Sequence, residues 1–528
     1  MAVRGNVLDI KSLGGSNKNG GGSLTPSVLM ICIVAASAGL IFGYDIGISG
    51  GVITMEPFLK KFFPSVLLKM HDARQNQYCI FDSQILTAFT SSLYITGLVS
   101  SLVAGRVTTA TGRKGILIIG GAVFLLGTVL NAVAMDVKML IFGRLLLGVG
   151  IGFTNQAAPI YLSEMAPPKW RGTLNTAFQL FIGAGVILAA SINLMAAHVG
   201  DIGWRVSLGC AAIPAAIMTV GAMFIPDTPS SLIQRGRVQE ARKSLNQVRG
   251  VDSDTEAELN EMISHNEAAK ADNRQPYKVI FERRHRPQLV LAAAIPSFQQ
   301  FTGINVVAFY GPVMFRSIGI SSDGALIAAI ILNVVNATST LVSTFAVDRF
   351  GRRLLFFEAG VQMIACEVAL ASILASELGT AGTATFSQGA SITVLVLMCG
   401  LSAAFGWSWG PLTWLVPGEI LPMEIRPAGQ GIGIACNFLF TFILAQVFAT
   451  ILCHMKYGVF LFYAAWVFIM TVFVALFVPE TKGISLESMD TIWQDHWFWN
   501  RYVDVEKKYT IPDEELSYLA HQRISLES

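Results

Sequence analysis

The chain has 528 residues, of which 53% are hydrophobic and 14% are charged. Soluble proteins carry about a quarter charged residues, so this composition excludes an ordinary soluble globule. The 37 basic and 35 acidic residues nearly cancel, which excludes a general basic surface for nucleic acid and an acidic, solvated disordered chain.

Twelve long apolar runs follow one another along the chain. A helix needs roughly 20 apolar residues to cross about 30 Å of hydrocarbon, and each run is long enough. The predicted spans are residues 27–51, 84–104, 116–135, 139–160, 172–195, 206–225, 288–313, 324–346, 353–376, 391–417, 429–453 and 458–478. The sequence therefore predicts an all-α polytopic membrane protein with twelve transmembrane helices in two six-helix halves.

The segments outside the spans complete the predicted domain organisation. Gly, Ser and Asn dominate the start of the chain and cannot bury a core, which indicates a disordered tail. Amphipathic helical patterns between the halves indicate a folded linker. The predicted domains are a tail at 1–26, an N-terminal half at 27–225 with a long outer loop at 52–83, a helical linker at 226–287, a C-terminal half at 288–478 and a tail at 479–528.

The basic residues predict the orientation in the membrane. Cytosolic loops carry an excess of Lys and Arg, and an even number of spans puts both termini on one side. Tight basic clusters at 113–114 and 352–353 lie on the side of the termini. We therefore expect both termini to be cytosolic, although the outer loop 52–83 reduces the contrast between the two sides.

Three pairs of short motifs recur in the same order in the two halves. The second and eighth spans are followed by basic motifs at 111–114 and 348–353, and the sixth and twelfth by Pro-acidic-Thr motifs at 226–229 and 479–482. The fourth and tenth are followed by a Glu that lies seven residues before an Arg. This order indicates an internal repeat of a six-helix unit.

Longer motifs give the chain a family resemblance. They are FGYD at 42–45, Gly-Arg-Leu at 143–145, PDTPSSL at 226–232, QQFTGIN at 299–305 and PETKG at 479–483. With these motifs the chain resembles the sugar porter family of the major facilitator superfamily over residues 27–500. It is most similar to the plant monosaccharide/proton symporters called sugar transport proteins.

The resemblance implies a function. A protein of this kind imports a monosaccharide such as glucose across the plasma membrane together with a proton, by alternating access to one central site. Its partners are the sugar, the proton as coupling ion and the lipid bilayer. We expect no other cofactor, no metal and no nucleic acid partner, and we expect the monomer to be the functional unit.

Other functions are weighed against this one. A facilitative uniporter would not depend on the proton gradient, and a transporter-like sugar sensor usually carries long cytosolic extensions, whereas the segment after residue 478 is short. Both remain alternatives. An enzyme is not expected, because the sequence shows no nucleophile–base pair, metal cluster or phosphate loop.

Two ionisable residues deep in predicted spans are candidates for proton coupling. Such side chains are costly in hydrocarbon unless paired or hydrated, and the helical rise places Asp45 and Arg144 at similar depth in the outer third of the bilayer. A nearby arginine favours the charged carboxylate and desolvation favours the protonated one, a conflict that a proton switch requires. The resemblance makes Asp45 the proton acceptor, with a permanent salt bridge as the alternative. Glu367 is a rival carrier for which we expect no coupling role.

Sugar recognition needs amides, which both donate and accept hydrogen bonds, and an aromatic face for the apolar side of the ring. Deep amides at positions that match sugar ligands of the family are Gln179, Gln299, Gln300, Asn305, Asn336 and Asn437. Gly410 and Pro411 predict a break or bend in the tenth span, which makes Trp414 the aromatic candidate. The alternative for any single amide is an interhelical hydrogen bond worth about 0.6 kcal/mol.

The resemblance also implies an ion-pair lock at a cytosolic gate. The candidate residues lie in the repeated motifs: Glu164, Arg171, Asp348, Arg349, Arg352, Glu419 and Arg426. The Asp-Arg pair of the superfamily is present at Asp348 and Arg349, but Thr109 and Ala110 replace it in the first half. We therefore expect the C-terminal half to carry the stronger lock.

Two of the seven cysteines face the oxidising side of the membrane. Cys79 lies in the outer loop 52–83 and Cys453 at the outer end of the eleventh span, where disulfides persist. A bridge between them would tie the two halves together, and two unrelated free thiols are the alternative. The resembling plant family has a small lid in this loop, which implies that residues 52–83 fold above Asp45.

Overall fold

A computed structural model describes residues 26–71, 79, 81–167, 171–249, 255–271, 276–304, 307, 311–312, 314–315, 320–377, 387–422, 425–482 and 489–503. The regular structure of these residues consists of α-helices and short 3₁₀-helices. The predicted N-terminal tail up to residue 25, and the end of the chain after residue 503, lie outside the described residues.

Six spans form the N-terminal half. They are Pro26–Val52, the two parts of Gln84–Ala132, Val137–Met165, Arg171–Ala197, and the pair Gly203–Gly209 and Ala212–Phe224. Gln84–Ala132 contains the second and third spans, and Gly112 interrupts it with φ 84° and ψ 170°. The boundary that the sequence placed between residues 104 and 116 is therefore a kink at one glycine, the residue type that tolerates positive φ.

Six more spans form the C-terminal half. The seventh begins as Arg286–Gln300, and the others are Ser322–Phe350, Arg352–Glu377, the pair Gln388–Trp407 and Trp409–Ile420, Arg426–Met455 and Gly458–Phe477. The seventh was predicted as one span over 288–313, but its first helix ends at Gln300, and Gly303 has a φ of 75°. The tenth breaks at Ser408, with φ −129° and ψ −86°, and not at Pro411. Proline in the first turn of the second helix costs no hydrogen bond there.

These helices account for all the predicted spans. Ten segments of the described residues are long and apolar enough to cross a membrane. Gln84–Ala132 counts once among the ten although it holds two spans, and the seventh span is not among them because Arg286–Gln300 has 15 residues. The protein is therefore a multi-pass membrane protein.

The linker and the outer loop are also helical. The linker contains Pro229–Gln234, Val238–Arg249, Thr255–Ala271 and Pro276–Val279. A small apolar core of Leu232, Ile233, Ala241, Leu245 and Leu259 holds the first three of these helices together. The outer loop contains Glu56–Phe62 and Pro64–His71, which we call the lid helices.

The two halves meet along two seams. At the first seam the second span packs on the eleventh, and Ser91 Oγ donates to Gln446 Oε1 at 2.6 Å. At the second seam the fifth span packs on the eighth. Just beyond the fifth span, His198 Nε2 lies 3.5 Å from a carboxylate oxygen of Asp323 at the start of the eighth.

Candidate functional site

A central cavity lies between the two halves. Residues of the first, fifth, seventh, eighth, tenth and eleventh spans line it. Six of the seven residues predicted to bind sugar are among them: Gln179, Gln299, Gln300, Asn336, Trp414 and Asn437. The seventh, Asn305, lies outside the described residues. The structure therefore brings together amides from both halves that lie far apart in sequence.

Two of these amides also hold the broken helices in place. Gln299 Nε2 donates to the carbonyl oxygen of Trp409 at 3.2 Å, just after the break in the tenth span. Asn437 Nδ2 donates to the carbonyl oxygen of Pro296 at 3.0 Å and to Gln299 Oε1 at 2.9 Å. These hydrogen bonds connect the seventh, tenth and eleventh spans close to the helix breaks after Gln300 and at Ser408. The interhelical alternative thus describes the contacts of Gln299 and Asn437.

Other amides keep polar atoms for a ligand. Gln179 Oε1 is buried and has no hydrogen-bond partner in the described part of the chain. Asn336 Nδ2 donates to the carbonyl oxygen of Ser402 at 3.2 Å. Asn333 also lines the cavity, one helical turn from Asn336. The sequence prediction missed Asn333, and its spacing of three residues from Asn336 on the same helix was the signal that identifies it.

A second cavity extends the first. Gln179 and Trp414 line both cavities. The second one reaches Asp348, Arg352 and Glu419 in the predicted cytosolic gate. A ligand that leaves the central cavity in this direction therefore passes Gln179 and Trp414.

Asp45 and Arg144 form a buried ion pair beside the central cavity. Arg144 Nη1 donates to Asp45 Oδ1, and Nη2 donates to Ser49 Oγ at 2.5 Å. Asp45 is 4% exposed and Arg144 is 0% exposed. The guanidinium carbon also lies 4.3 Å from the ring centroid of Phe89, a cation–π contact. The two candidates for proton coupling are thus in direct contact.

The lid helices cover this pair through an aromatic cluster. Phe58 lies 5.4 Å from Phe89 and 5.9 Å from Trp204 between ring centroids, and Phe62 lies 5.2 Å from Trp204. Phe58 is fully buried. The lid therefore packs on the same Phe89 ring that contacts Arg144. The sequence did not identify Phe89 or Trp204, because an aromatic residue in a span carries no signal of its contact with a distant loop.

A disulfide joins the end of the lid segment to the other half. Cys79 and Cys453 are bonded, with 4.5 Å between their Cα atoms, so the predicted bridge is confirmed and the alternative of two free thiols is wrong. Next to it, Gln446 Nε2 donates to Gln84 Oε1 at 3.0 Å, Gln84 Nε2 donates to Thr450 Oγ1 at 2.9 Å, and Thr450 Oγ1 donates to Asp82 at 2.8 Å. We call these hydrogen bonds the outer clasp.

Ion pairs at the predicted cytosolic gate lie within each half. Arg352 contacts Glu419 at 2.7 Å and Asp348 at 3.3 Å. In the first half, Arg113 contacts Glu164 at 3.1 Å. Arg113 was not among the predicted gate residues, although its place in the repeated motif matches that of Arg352. The Asp348 contact has no counterpart at Thr109, so Arg352 has two acidic partners and Arg113 has one.

The remaining gate candidates have other surroundings. Arg426 Nε donates to the carbonyl oxygen of Leu421 at 3.1 Å. Arg349 lies over the ring of Phe350, with 5.6 Å from its guanidinium carbon to the centroid. The side chain of Arg171 lies outside the described part of the chain. Arg426 and Arg349 thus contact a backbone carbonyl and an aromatic ring, respectively.

The rival proton carrier lies apart from the cavities. Glu367 is 1% exposed, and its Oε2 has no hydrogen-bond partner among the described residues. It lines neither cavity. Among the described residues, no group of three or more His, Cys, Asp and Glu side chains has an arrangement that could hold a metal ion.

Comparisons with known proteins match this geometry. A family model described as "Sugar (and other) transporter" matches residues 31–493. Sugar transport protein 5 of Arabidopsis thaliana is 55% identical over 505 residues, covering 95% of this chain and 99% of that protein. Sugar transport protein MST3 of Oryza sativa subsp. japonica is 52% identical over 491 residues, covering 93% and 95%.

A solved structure has the same fold. The proton:xylose symporter XylE of the major facilitator superfamily, bound to 6-bromo-6-deoxy-D-glucose, superposes with a TM-score of 0.74 at 26% identity. The match covers 88% of this chain and 99% of XylE. This likeness confirms the predicted all-α fold of twelve spanning helices in two halves.

Proposed function

Because the chain belongs to the family of sugar and other transporters, we propose that it is a proton-coupled symporter that imports a monosaccharide such as glucose across the plasma membrane. The family resemblance of the motifs is confirmed by these matches, and the chain is a transporter, not an enzyme. The relatives named for sugar transport and the XylE symporter support the substrate class and the coupling ion. We further propose that both termini are cytosolic and that the monomer is the functional unit, since one chain lines both cavities.

The first span carries the main support for coupling. It presents Asp45 to Arg144, while Phe42 and Ile46 on the same helix line the central cavity. A change at the ion pair therefore acts on the helix that forms part of the sugar site. The first span is thus the physical link between the proton site and the sugar site.

The ion pair supplies a two-state switch. With Arg144 in contact, Asp45 is charged, because the guanidinium stabilises the carboxylate. If the first and fourth spans separate, the buried carboxylate loses this partner and takes a proton, since an unpaired charge in a desolvated site is costly. Protonation from the outside and release to the cytosol would then drive the cycle in the direction of import.

The central cavity supplies the sugar site. Gln179 and Asn336 offer polar atoms, and Trp414 offers an aromatic face at the passage to the second cavity. Gln299 and Asn437 fix the positions of the broken seventh and tenth spans. A sugar bound between both halves favours states in which the halves approach, as alternating access requires.

Uptake of labelled glucose tests this proposal. The purified protein in proteoliposomes should accumulate glucose against its gradient when the outside is more acidic than the inside. An uncoupler should remove the accumulation but leave equilibration. Uptake that only equilibrates glucose, whatever the pH gradient, would indicate a uniporter. Saturable binding without any uptake would indicate a sensor. Either result would overturn the proposal of symport.

A further inference from the structure

The eighth span turns one face toward the central cavity. Ala329, Leu332, Asn333 and Asn336 all line it, and their spacing of three, one and three residues is that of one helix face. Ala329 and Leu332 are 8% and 4% exposed, whereas Asn333 is half-buried. The amide of Asn333 is therefore open to the cavity.

Asn333 differs from the neighbouring amides in its hydrogen bonds. Asn336 Nδ2 donates to Ser402, and Gln299 and Asn437 bond to each other and to backbone carbonyls. Asn333 makes no side-chain hydrogen bond with any described residue. Its donor and its acceptor are both available to a ligand.

The wall around Asn333 is apolar. Ile304 and Val307 of the seventh span and Leu332 of its own helix line the same cavity. A ligand that displaces water from this wall must supply the partner of the amide, because a buried amide without a hydrogen bond is unfavourable. A hydroxyl group, which both donates and accepts, meets this requirement.

The depth of Asn333 in the membrane determines which end of a bound ligand it contacts. Span 8 begins at the outer side in the proposed orientation, so Asn333 lies about 4.5 Å closer to the outside than Asn336, three residues at the helical rise. We propose, on the basis of the proposed function, that Asn333 is a specificity-determining residue that hydrogen-bonds a hydroxyl group at the outward end of the bound monosaccharide.

A panel of deoxy sugars tests this inference. Asn333→Ala removes the amide, so the KM for glucose in exchange across proteoliposomes should rise about 5- to 100-fold, the range for one lost hydrogen bond to a buried group. Exchange needs no proton gradient. Glucose analogues that each lack one hydroxyl should divide into two groups: the analogue without the contacted hydroxyl keeps the same KM in the variant, and the others lose affinity as glucose does.

The controls separate this inference from the proposed function. Val334→Ala changes the next residue, which is 44% exposed on the outer surface of the helix and lines neither cavity, and should leave every KM unchanged. Asn333→Ser retains a hydroxyl and should recover part of the affinity. An unchanged KM for glucose in Asn333→Ala, or an equal rise for every analogue, would overturn the role of Asn333. No saturable exchange by the unsubstituted protein would instead overturn the proposed function.

Discussion

At the scale of single residues, Asp45 is the proposed group for proton coupling. Asp45→Asn places a neutral amide where the carboxylate contacts Arg144, and this amide resembles a permanently protonated acid. We expect the variant to lose accumulation of glucose against its gradient while it retains exchange of sugar between the two sides. The accumulation ratio and the exchange rate in proteoliposomes measure the two activities separately.

Glu367 provides the matched control for this variant. It is also a buried carboxylate in a span, but it lines neither cavity. Glu367→Gln should accumulate glucose as the unsubstituted protein does. Full accumulation by Asp45→Asn, or an equal loss in Glu367→Gln, would show that the carboxylate beside Arg144 is not the coupling group.

Gln179 and Gln299 are two cavity amides with different duties. Gln299→Ala removes the hydrogen bonds of Gln299 with Asn437 and with the carbonyl of Trp409, each worth about 0.5–1.5 kcal/mol. It should therefore lower the thermal unfolding temperature and raise the KM. Gln179→Ala removes an oxygen that has no hydrogen-bond partner among the described residues, so it should raise the KM with an unchanged unfolding temperature. Equal unfolding temperatures for the two variants would contradict this division.

At the scale of elements, the junction between the eighth and ninth spans requires a glycine. Gly351 has a φ of 89°, and a Cβ there would lie 2.7 Å from Glu480 Oε2. Glu480 accepts hydrogen bonds from the backbone N–H groups of Arg352 and Arg353, both at 3.0 Å. Gly351→Ala should lower the unfolding temperature in detergent by several degrees, because the backbone is strained by about 1–3 kcal/mol and Glu480 must move.

A second glycine serves as the control for this junction. Gly389 lies in the first turn of Gln388–Trp407, and a Cβ there would meet nothing within 4 Å. Gly389→Ala should leave the unfolding temperature unchanged or raise it slightly, since alanine favours helix. An equal loss of stability in both variants would mean that the conformation of Gly351 is not the cause.

The spans and the deep polar residues could be predicted because the hydrocarbon core of the membrane restricts which residues a span contains. Long apolar runs and the rare charged residues within them are therefore easy to recognise in the sequence. A long apolar run must be a helix, and a buried Asp45 needs a partner such as Arg144. The structural role of Gln299 could not be predicted, because its contacts with Asn437 and with the carbonyl of Trp409 depend on how three distant spans pack together. Contacts across the fold, such as Phe58 with Phe89, leave no periodic signal in either segment.

At the scale of the whole molecule, the disulfide holds the lid segment to the C-terminal half. Cys79→Ala or Cys453→Ala should weaken the apparent affinity for sugar and make uptake more dependent on an acidic medium. Loss of the tether admits water to Asp45, which favours the charged carboxylate. The measurement is the KM for glucose over a pH series. The double variant should match each single one, because only one bond is lost.

A third cysteine distinguishes the bridge from the loss of a thiol. Cys366 is a free cysteine on the ninth span, and Cys366→Ala should transport as the unsubstituted protein does. Additive losses in the double variant of Cys79 and Cys453 would show that each cysteine acts on its own and would contradict the tether.

The outer clasp and the disulfide also bear on which seam between the two halves opens during transport. Both connect the segment at the start of the second span to the end of the eleventh span, so we expect this edge of the molecule to stay closed during transport. We therefore expect the central cavity to open to the outside along the other seam, between the fifth and eighth spans. Among the described residues, a solvent-exposed contact between His198 and Asp323 lies at the outer end of that seam, and such a contact separates far more readily than a covalent bond.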